Sequence, residues 1–248
     1  MSFTVIVPAR LASSRLPNKM LLPLGGKPLV VQSALSAMKS SAKRVIIACD
    51  HPLILEAARQ YDIETVLTSN LHASGTDRLH EVCKLFEFAD DEIIVNVQGD
   101  EPLIPSKVVD YVAELLESNC WADVATLAEP FETLDAFRDP NNVKVVAAAN
   151  HRAHYFSRAP IPFARDEPDQ IPACALRHLG LYAYRVKALK SFVRYAPSPL
   201  ETIERLEQLR FIDHDHPIVV KKSPLPVPGG IDTQKDYNAL LPYFEKKA

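Results

Sequence analysis

Short apolar runs separated by amphipathic stretches recur along the whole chain, and that rhythm admits few folds. Runs at 3–7, 44–48, 63–67, 92–97, 123–128, 143–149, 179–184 and 217–221 read as strands. Between and after them, 28–41, 52–61, 76–87, 105–118, 185–194, 199–212 and 233–246 carry helical periodicity. Strands that alternate with helices pair in parallel through helical crossovers, so the pattern predicts an α/β sandwich. The runs near 45 and 93 are apolar without alternation, as for strands covered on both faces. With 248 residues, 47% of them hydrophobic, the chain can bury a large core as one domain, with or without an elaboration.

One stretch breaks the rhythm. "RAPIPFARDEPDQIPACA" (158–175) holds four prolines in 18 residues, which excludes a helix or a central strand. It reads as a long connection, of the kind that often carries function in a compact domain. Glycine is also unevenly used: there are seven, at 25, 26, 75, 99, 180, 229 and 230. They fall in "LGGKP", "ASGTDR", "VQGDEP", "HLGLY" and "PGGIDT", each beside a predicted strand end or helix start. Ligands of open α/β sheets bind outside the carboxyl ends of the strands. The five glycine sites are therefore expected to share one crevice.

Charge points to what that crevice holds. Seven cations and no acid precede Asp50, so the rest of the chain carries −10 against a total of −3. The balance gives no basic field for nucleic acid. Arg10, Arg15 and Lys19 follow the first strand within a loop that also holds Ser13 and Ser14. Arginine forks and a lysine point charge suit phosphate oxygens. A charge pair at 4 Å in a partly solvated site is worth about 4 kcal/mol before desolvation. Asn18 falls where a tight turn calls for positive φ, which asparagine tolerates. The loop lacks the glycines of a Walker A motif. Transit peptides are also Ser-rich and acid-poor, but the strand pattern and Pro8, Pro17, Pro23 and Pro28 argue against one. No apolar run reaches the ~18 residues of a membrane span. Cys49, Cys83, Cys120 and Cys174 show no C-x-x-C spacing, which argues against a zinc site or a disulfide framework and fits a reducing cytoplasm.

At this point the motifs carry a resemblance. "PARLASSRLPNK", "GGKPL", "SGTDR", "VNVQGDEPLI", "NVKVV", "YFSRAPIP", "RHLGLYAYR", "PSPLETIERLEQLR" and "PGGIDT" resemble, in order, the signatures of the 3-deoxy-manno-octulosonate (Kdo) cytidylyltransferases. The first motif alone marks only a nucleotidyltransferase, while "RHLGLYAYR" and "LEQLR" are more specific. The resemblance departs at Asn18, where the family pattern calls for glycine. It implies a single Rossmann-like, GT-A-like nucleotidyltransferase domain over 1–248, with a mostly parallel central sheet and helices on both faces. An inserted subregion at 150–185 would supply dimer and sugar contacts. It also implies a cytoplasmic homodimer that makes CMP-Kdo and pyrophosphate from CTP and Kdo with Mg²⁺, for lipopolysaccharide synthesis.

Residue by residue, the resemblance makes Lys19, Asp100 and Asp232 catalytic. Asp100 and Asp232 would be metal ligands, in keeping with the hard carboxylates magnesium prefers. Read from the residues alone, Asp100 after a buried strand could be a turn aspartate, and Asp232 before a helix an N-cap. Pro8, Ala9, Arg10, Ser13, Arg15, Lys19, Ser74, Gly75, Arg78 and Gln98 would bind CTP, although Ser74 or Thr76 could simply cap a helix. Arg158, His178, Tyr182, Glu207 and Gln208 would bind the sugar. His178 and Tyr182 lie four apart, hence on one strand face. Glu207 projects among Leu200, Ile203 and Phe211 if 199–212 is one helix, where it must pair, for instance with Arg210, or serve a ligand. Three rivals remain open: a cytidylyltransferase for sialic acid or 8-amino-Kdo, a GT-A glycosyltransferase, and a non-catalytic nucleotide-binding module.

Overall fold

The computed structural model describes residues 2–13 and 15–245, so Ser14 and the last residue of the predicted helix 233–246 lie outside the described residues. In chain order the elements begin with β1 (Phe3–Ala9), a 3-10 turn (Lys19–Leu21), β2 (Pro23–Leu24), β3 (Lys27–Pro28), α1 (Leu29–Ala37), β4 (Arg44–Cys49), α2 (Pro52–Arg59) and β5 (Glu64–Leu67). Next come α3 (Gly75–Leu85), β6 (Ile93–Asn96), α4 (Ser106–Glu117), β7 (Val124–Pro130), α5 (Leu134–Arg138), β8 (Lys144–Ala147) and β9 (Ala153–Ser157). The chain closes with β10 (Leu176–Arg185), α6 (Val186–Phe192), α7 (Pro199–Glu204), α8 (Gln208–Asp213), β11 (Ile218–Lys222) and α9 (Gln234–Glu245).

The main sheet runs β11-β7-β10-β6-β1-β4-β5. All strands on this path are parallel except β10, which is antiparallel to β6 and β7. The expected mostly parallel α/β sheet is therefore present. Successive residues of β1 point to opposite faces. Val5 and Val7 pack with α1, α2 and α4 on one side, while Ile6 packs with α3, α6 and α8 on the other. This is why β1 is buried at every position and why helices cover both faces.

Strand order reverses between β6 and β1, since β4 and β5 lie on one side of β1 and later strands on the other. That reversal opens a crevice at the carboxyl ends of β1 and β6. The cation loop follows β1, and "GDEP" follows β6.

Several elements differ from the sequence reading. Strand β9, the short β2–β3 hairpin and the one-turn α5 are additional, whereas β8 falls within the predicted run 143–149. The predicted helix 199–212 is two short helices, broken at Arg205, whose φ of 53° and ψ of 52° are left-handed. Leu200 and Ile203 are consequently exposed, and the single apolar arc drawn through Glu207 does not exist. Residues 158–175 contain no helix or strand, as the prolines require. "LGGKP" also departs from expectation: Gly25 and Gly26 form the β2–β3 hairpin turn, with φ of 56° and 74°, which strongly favours glycine. They do not enter the crevice.

Candidate active site

Asn18 does take the left-handed conformation, with φ 54° and ψ 30°. It turns the chain into the 3-10 turn and buries Lys19, which is 7% exposed. The Lys19 ammonium lies 2.6 Å from Asp100 Oδ2 and 3.1 Å from Asp232 Oδ1. Arg15 Nη2 lies 3.0 Å from the same Asp232 oxygen. Residues 81 and 213 positions away in sequence thus converge on one cation. Burial opposes the charge of Lys19, but the Asp100 and Asp232 carboxylates outweigh it and hold its pKa above the ordinary lysine value.

Backbone geometry fixes both aspartates. A Cβ on Gly99 would sit 2.9 Å from Pro8 O and from Met20 Sδ, so only glycine lets the Asp100 turn pack this closely on β1. Asp100 O accepts from Ile231 N at 2.9 Å, which ties the two aspartate segments together. Asp232 is not the cap of α9. Asp236 accepts from the Thr233 N–H and hydroxyl, and Thr233 Oγ1 accepts from Asp236 N, leaving the Asp232 carboxylate directed at the cations.

The cation loop has acidic partners after all, contributed from far along the chain. Besides those of Arg15 and Lys19, Arg10 donates to His72 O and its Nε is 4.0 Å from Asp50. Asp50 also accepts from Leu11 N and from Arg78. Sequence reading missed Asp50, although its place at the carboxyl end of β4 was a usable signal. Arg78 is 2% exposed and is held by Thr68 Oγ1 at 2.6 Å as well as by Asp50, so it braces the wall.

Two cavities meet beside these groups. The first, about 230 Å³, is lined by Pro8, Ala9, Arg10, Ser74, Arg78 and Gln98 among others. The second, about 350 Å³, is lined by His178, Tyr182, Glu207, Gln208, Asn96 and Thr76 among others. Gly75, Gln98 and Glu207 line both. Ser74 caps α3 in a capping box with Asp77, so the capping reading of "SGTDR" is correct and coexists with its place on the cavity wall. Ser13 lies half-buried on the cation loop and lines neither cavity. A larger cavity, about 650 Å³, lies between α1 and α9 and shares no wall residue with these two.

Glu207 accepts from Thr76 Oγ1 at 2.8 Å. Its anticipated partner Arg210 is instead engaged by Glu201 through two hydrogen bonds of 2.7 and 2.5 Å. Burial raises the Glu207 pKa against the Thr76 hydrogen bond. His178 shares the cavity with Tyr182, their rings 5.2 Å apart, and its Nε2 meets Thr126 Oγ1 at 3.0 Å. Burial, with Arg177 nearby, pushes the ring pKa down to about 3, so it is neutral. Arg158 lines neither cavity. Its guanidinium donates to Glu204 O, Pro140 O and Arg205 O, bracing the α7–α8 elbow.

Comparison with known proteins decides the class. A family model described as cytidylyltransferase matches residues 4–219. The chain belongs to the cytidylyltransferase family. Within that family it is similar to the 3-deoxy-manno-octulosonate cytidylyltransferase of Cellvibrio japonicus, at 49% identity over 99% of both chains. The enzyme of that name from Proteus mirabilis is 50% identical over 98% of this chain and 97% of its own. A solved CMP:2-keto-3-deoxy-manno-octonic acid synthetase complexed with CTP superposes with a TM-score of 0.90 and 34% identity, covering 100% of this chain and 99% of that one. A cytidylyltransferase from Leptospira borgpetersenii, 17% identical with a TM-score of 0.60 over 96% of this chain and 84% of its own, shares the fold.

The Lys19–Asp100–Asp232 cluster fits the magnesium the resemblance implies. Asp100 Oδ2 and Asp232 Oδ1 both approach the Lys19 ammonium, so two carboxylates stand close together, and among the described residues no group of three or more His, Cys, Asp or Glu could hold a metal. Magnesium is typically held by one or two carboxylates together with substrate phosphates, so the donor set is the right one. Also among the described residues, all four cysteines are free thiols, and no helix is long and apolar enough to cross a membrane.

Proposed function

We propose that this enzyme transfers CMP from CTP to the anomeric hydroxyl of Kdo, releasing pyrophosphate. The supporting observation is the pair of cavities that share Gly75, Gln98 and Glu207, the smaller walled by Met20, next to Lys19 in the chain, and by Gln98, two residues before Asp100. A nucleotide in the smaller cavity and a sugar in the larger would meet at that shared wall. The sugar oxygen forms a bond to the α-phosphorus, the bond to pyrophosphate breaks, and the hydroxyl proton leaves to solvent.

The chain's own contribution is positioning and charge. Arg15 and Lys19 supply cations for phosphate oxygens. Ser74, Gly75 and Gln98 offer hydrogen bonds to the base, and Arg78 with Asp50 keeps that wall rigid. Neutral His178, Tyr182, Glu207 and Gln208 offer partners to sugar hydroxyls. Asp100 and Asp232 would hold Mg²⁺, which when bound lowers the pKa of the attacking hydroxyl and offsets phosphate charge. The subregion 150–185, where Phe163 is 74% exposed, would join two copies into a homodimer, which sedimentation velocity would detect.

Pyrophosphate release is the deciding measurement. It should require CTP, magnesium and Kdo together, and should be far weaker with ATP, UTP or sialic acid. Release with sialic acid in place of Kdo, or none with Kdo, overturns the reading. Asp100→Asn should abolish release while the protein stays folded.

A further inference from the structure

Four buried side-chain polar atoms lack a hydrogen-bond partner among the described residues: Thr4 Oγ1, Asn96 Oδ1, Glu101 Oε2 and Tyr182 Oη. Two of the four, on Asn96 and Tyr182, belong to residues that line the same 350 Å³ cavity. Asn96 is 4% exposed and Tyr182 8% exposed. They are register partners across the antiparallel pair β6–β10, so their side chains are immediate neighbours. Two neighbouring polar pairs of this wall are engaged: Thr76 donates to Glu207, and His178 meets Thr126.

A buried carbonyl or hydroxyl left unpaired has lost its hydration without compensation. Two such atoms side by side in a core strand pair are expensive for the fold alone. They make physical sense if a ligand satisfies them. Asn96 Oδ1 can only accept, whereas Tyr182 Oη can donate or accept. We propose that Asn96 is a specificity-determining residue of the acceptor cavity, its Oδ1 taking a hydroxyl of the acceptor sugar while Tyr182 Oη takes the same hydroxyl or its neighbour. A site built this way rejects an acceptor lacking that hydroxyl, because the buried atoms then stay unpaired. The inference rests on the proposed cytidylyl transfer to Kdo and adds a residue to it.

The test couples variants to substrates. Asn96→Ala should lower kcat/KM for Kdo by about ten- to a hundredfold and leave the KM for CTP unchanged. Wild-type enzyme should lose a similar factor on one of a set of Kdo analogues, each missing a single hydroxyl, and Asn96→Ala should cost nothing further on that analogue. Tyr182→Phe removes only the unpaired hydroxyl. It should leave the melting temperature of the free protein unchanged or higher, where a structural hydroxyl would lower it, while blunting discrimination among the analogues. Equal use of Kdo by wild type and Asn96→Ala overturns the inference while pyrophosphate release keeps the proposed activity. If Asn96→Ala does not fold, wild-type indifference to every analogue overturns it equally. No release from wild type with Kdo removes the proposed activity and this inference with it.

Discussion

Lys19 is the residue on which the most distant parts of the chain depend. Its ammonium is the shared partner of Asp100 and Asp232, and it is nearly buried. Lys19→Met should leave Asp100 without a cation and Asp232 with only that of Arg15. We expect a loss of about 1–3 kcal/mol, moderated because Asp232 is half exposed, and loss of turnover. Denaturant unfolding checks the first, and Asp100→Asn in the Lys19→Met background should recover part of the stability. His178 gives a pH signature. Unfolded, a histidine takes up a proton near pH ~6.5; folded, burial delays this to about pH 3. Between those values the unfolded chain holds more protons, so stability falls as pH falls, by at most about 1.4 kcal/mol per pH unit from this group. His178→Gln should flatten that slope in thermal melts between pH 6.5 and 4. At this scale the sequence was informative where a demand is local. Asn18 at positive φ and Ser74 as a cap were both legible from immediate neighbours. The acids that neutralise Arg10, Arg15 and Lys19 were not, because only the assembled sheet brings Asp50, Asp100 and Asp232 to them.

Among the elements, the α7–α8 elbow places Glu207 and Gln208 on the acceptor cavity. The periodicity of 199–212 suggests one helix because apolar residues recur at helical spacing, yet Leu200 and Ile203 face outward and Arg205 is left-handed. What holds the break is long-range. Glu201, capping its own helix with Ser198, grips Arg210 of α8, and Arg158 donates to the carbonyls of Glu204 and Arg205. Glu201 and Arg210 side chains are about one-tenth exposed, so Glu201→Ala strands a buried guanidinium and should cost about 3–5 kcal/mol in urea unfolding. Arg158→Lys keeps the charge but loses the fork. It should raise the KM for Kdo several-fold with the KM for CTP little changed, because the smaller cavity draws nothing from the elbow except Glu207. The direction of β10 was equally hidden, since an apolar run carries no sign of which way it pairs. Once β8 and β9 form a hairpin rather than a strand–helix–strand unit, the antiparallel return follows.

At the scale of the whole molecule, three of the four hydrophobic clusters among the described residues bear on the site. Two sandwich the sheet and make the bulk of the fold. A small one of Leu16, Leu24, Leu29 and Ile231, with Tyr237, Leu240, Leu241 and Phe244 of α9 against it, joins the end of the chain to the cation loop. Tyr237 also hydrogen-bonds Pro23 O. The N-terminal loop carrying Arg15 and Lys19 and the segment carrying Asp232 are thus clamped by a unit separate from the main core. This separation predicts that activity and global stability can be uncoupled. Leu241→Ala trims the clamp at a half-buried position 9 residues beyond Asp232, outside both main clusters. The melting temperature should fall by only a few degrees, since a change near 1 kcal/mol shifts a domain of this size by about 2–4 °C. Pyrophosphate release should fall ten- to a hundredfold, the scale at which small misplacement of reacting groups acts. A variant that melted many degrees lower while keeping full turnover would mean that α9 supports the core and that Asp232 is held by Lys19 and Arg15 alone.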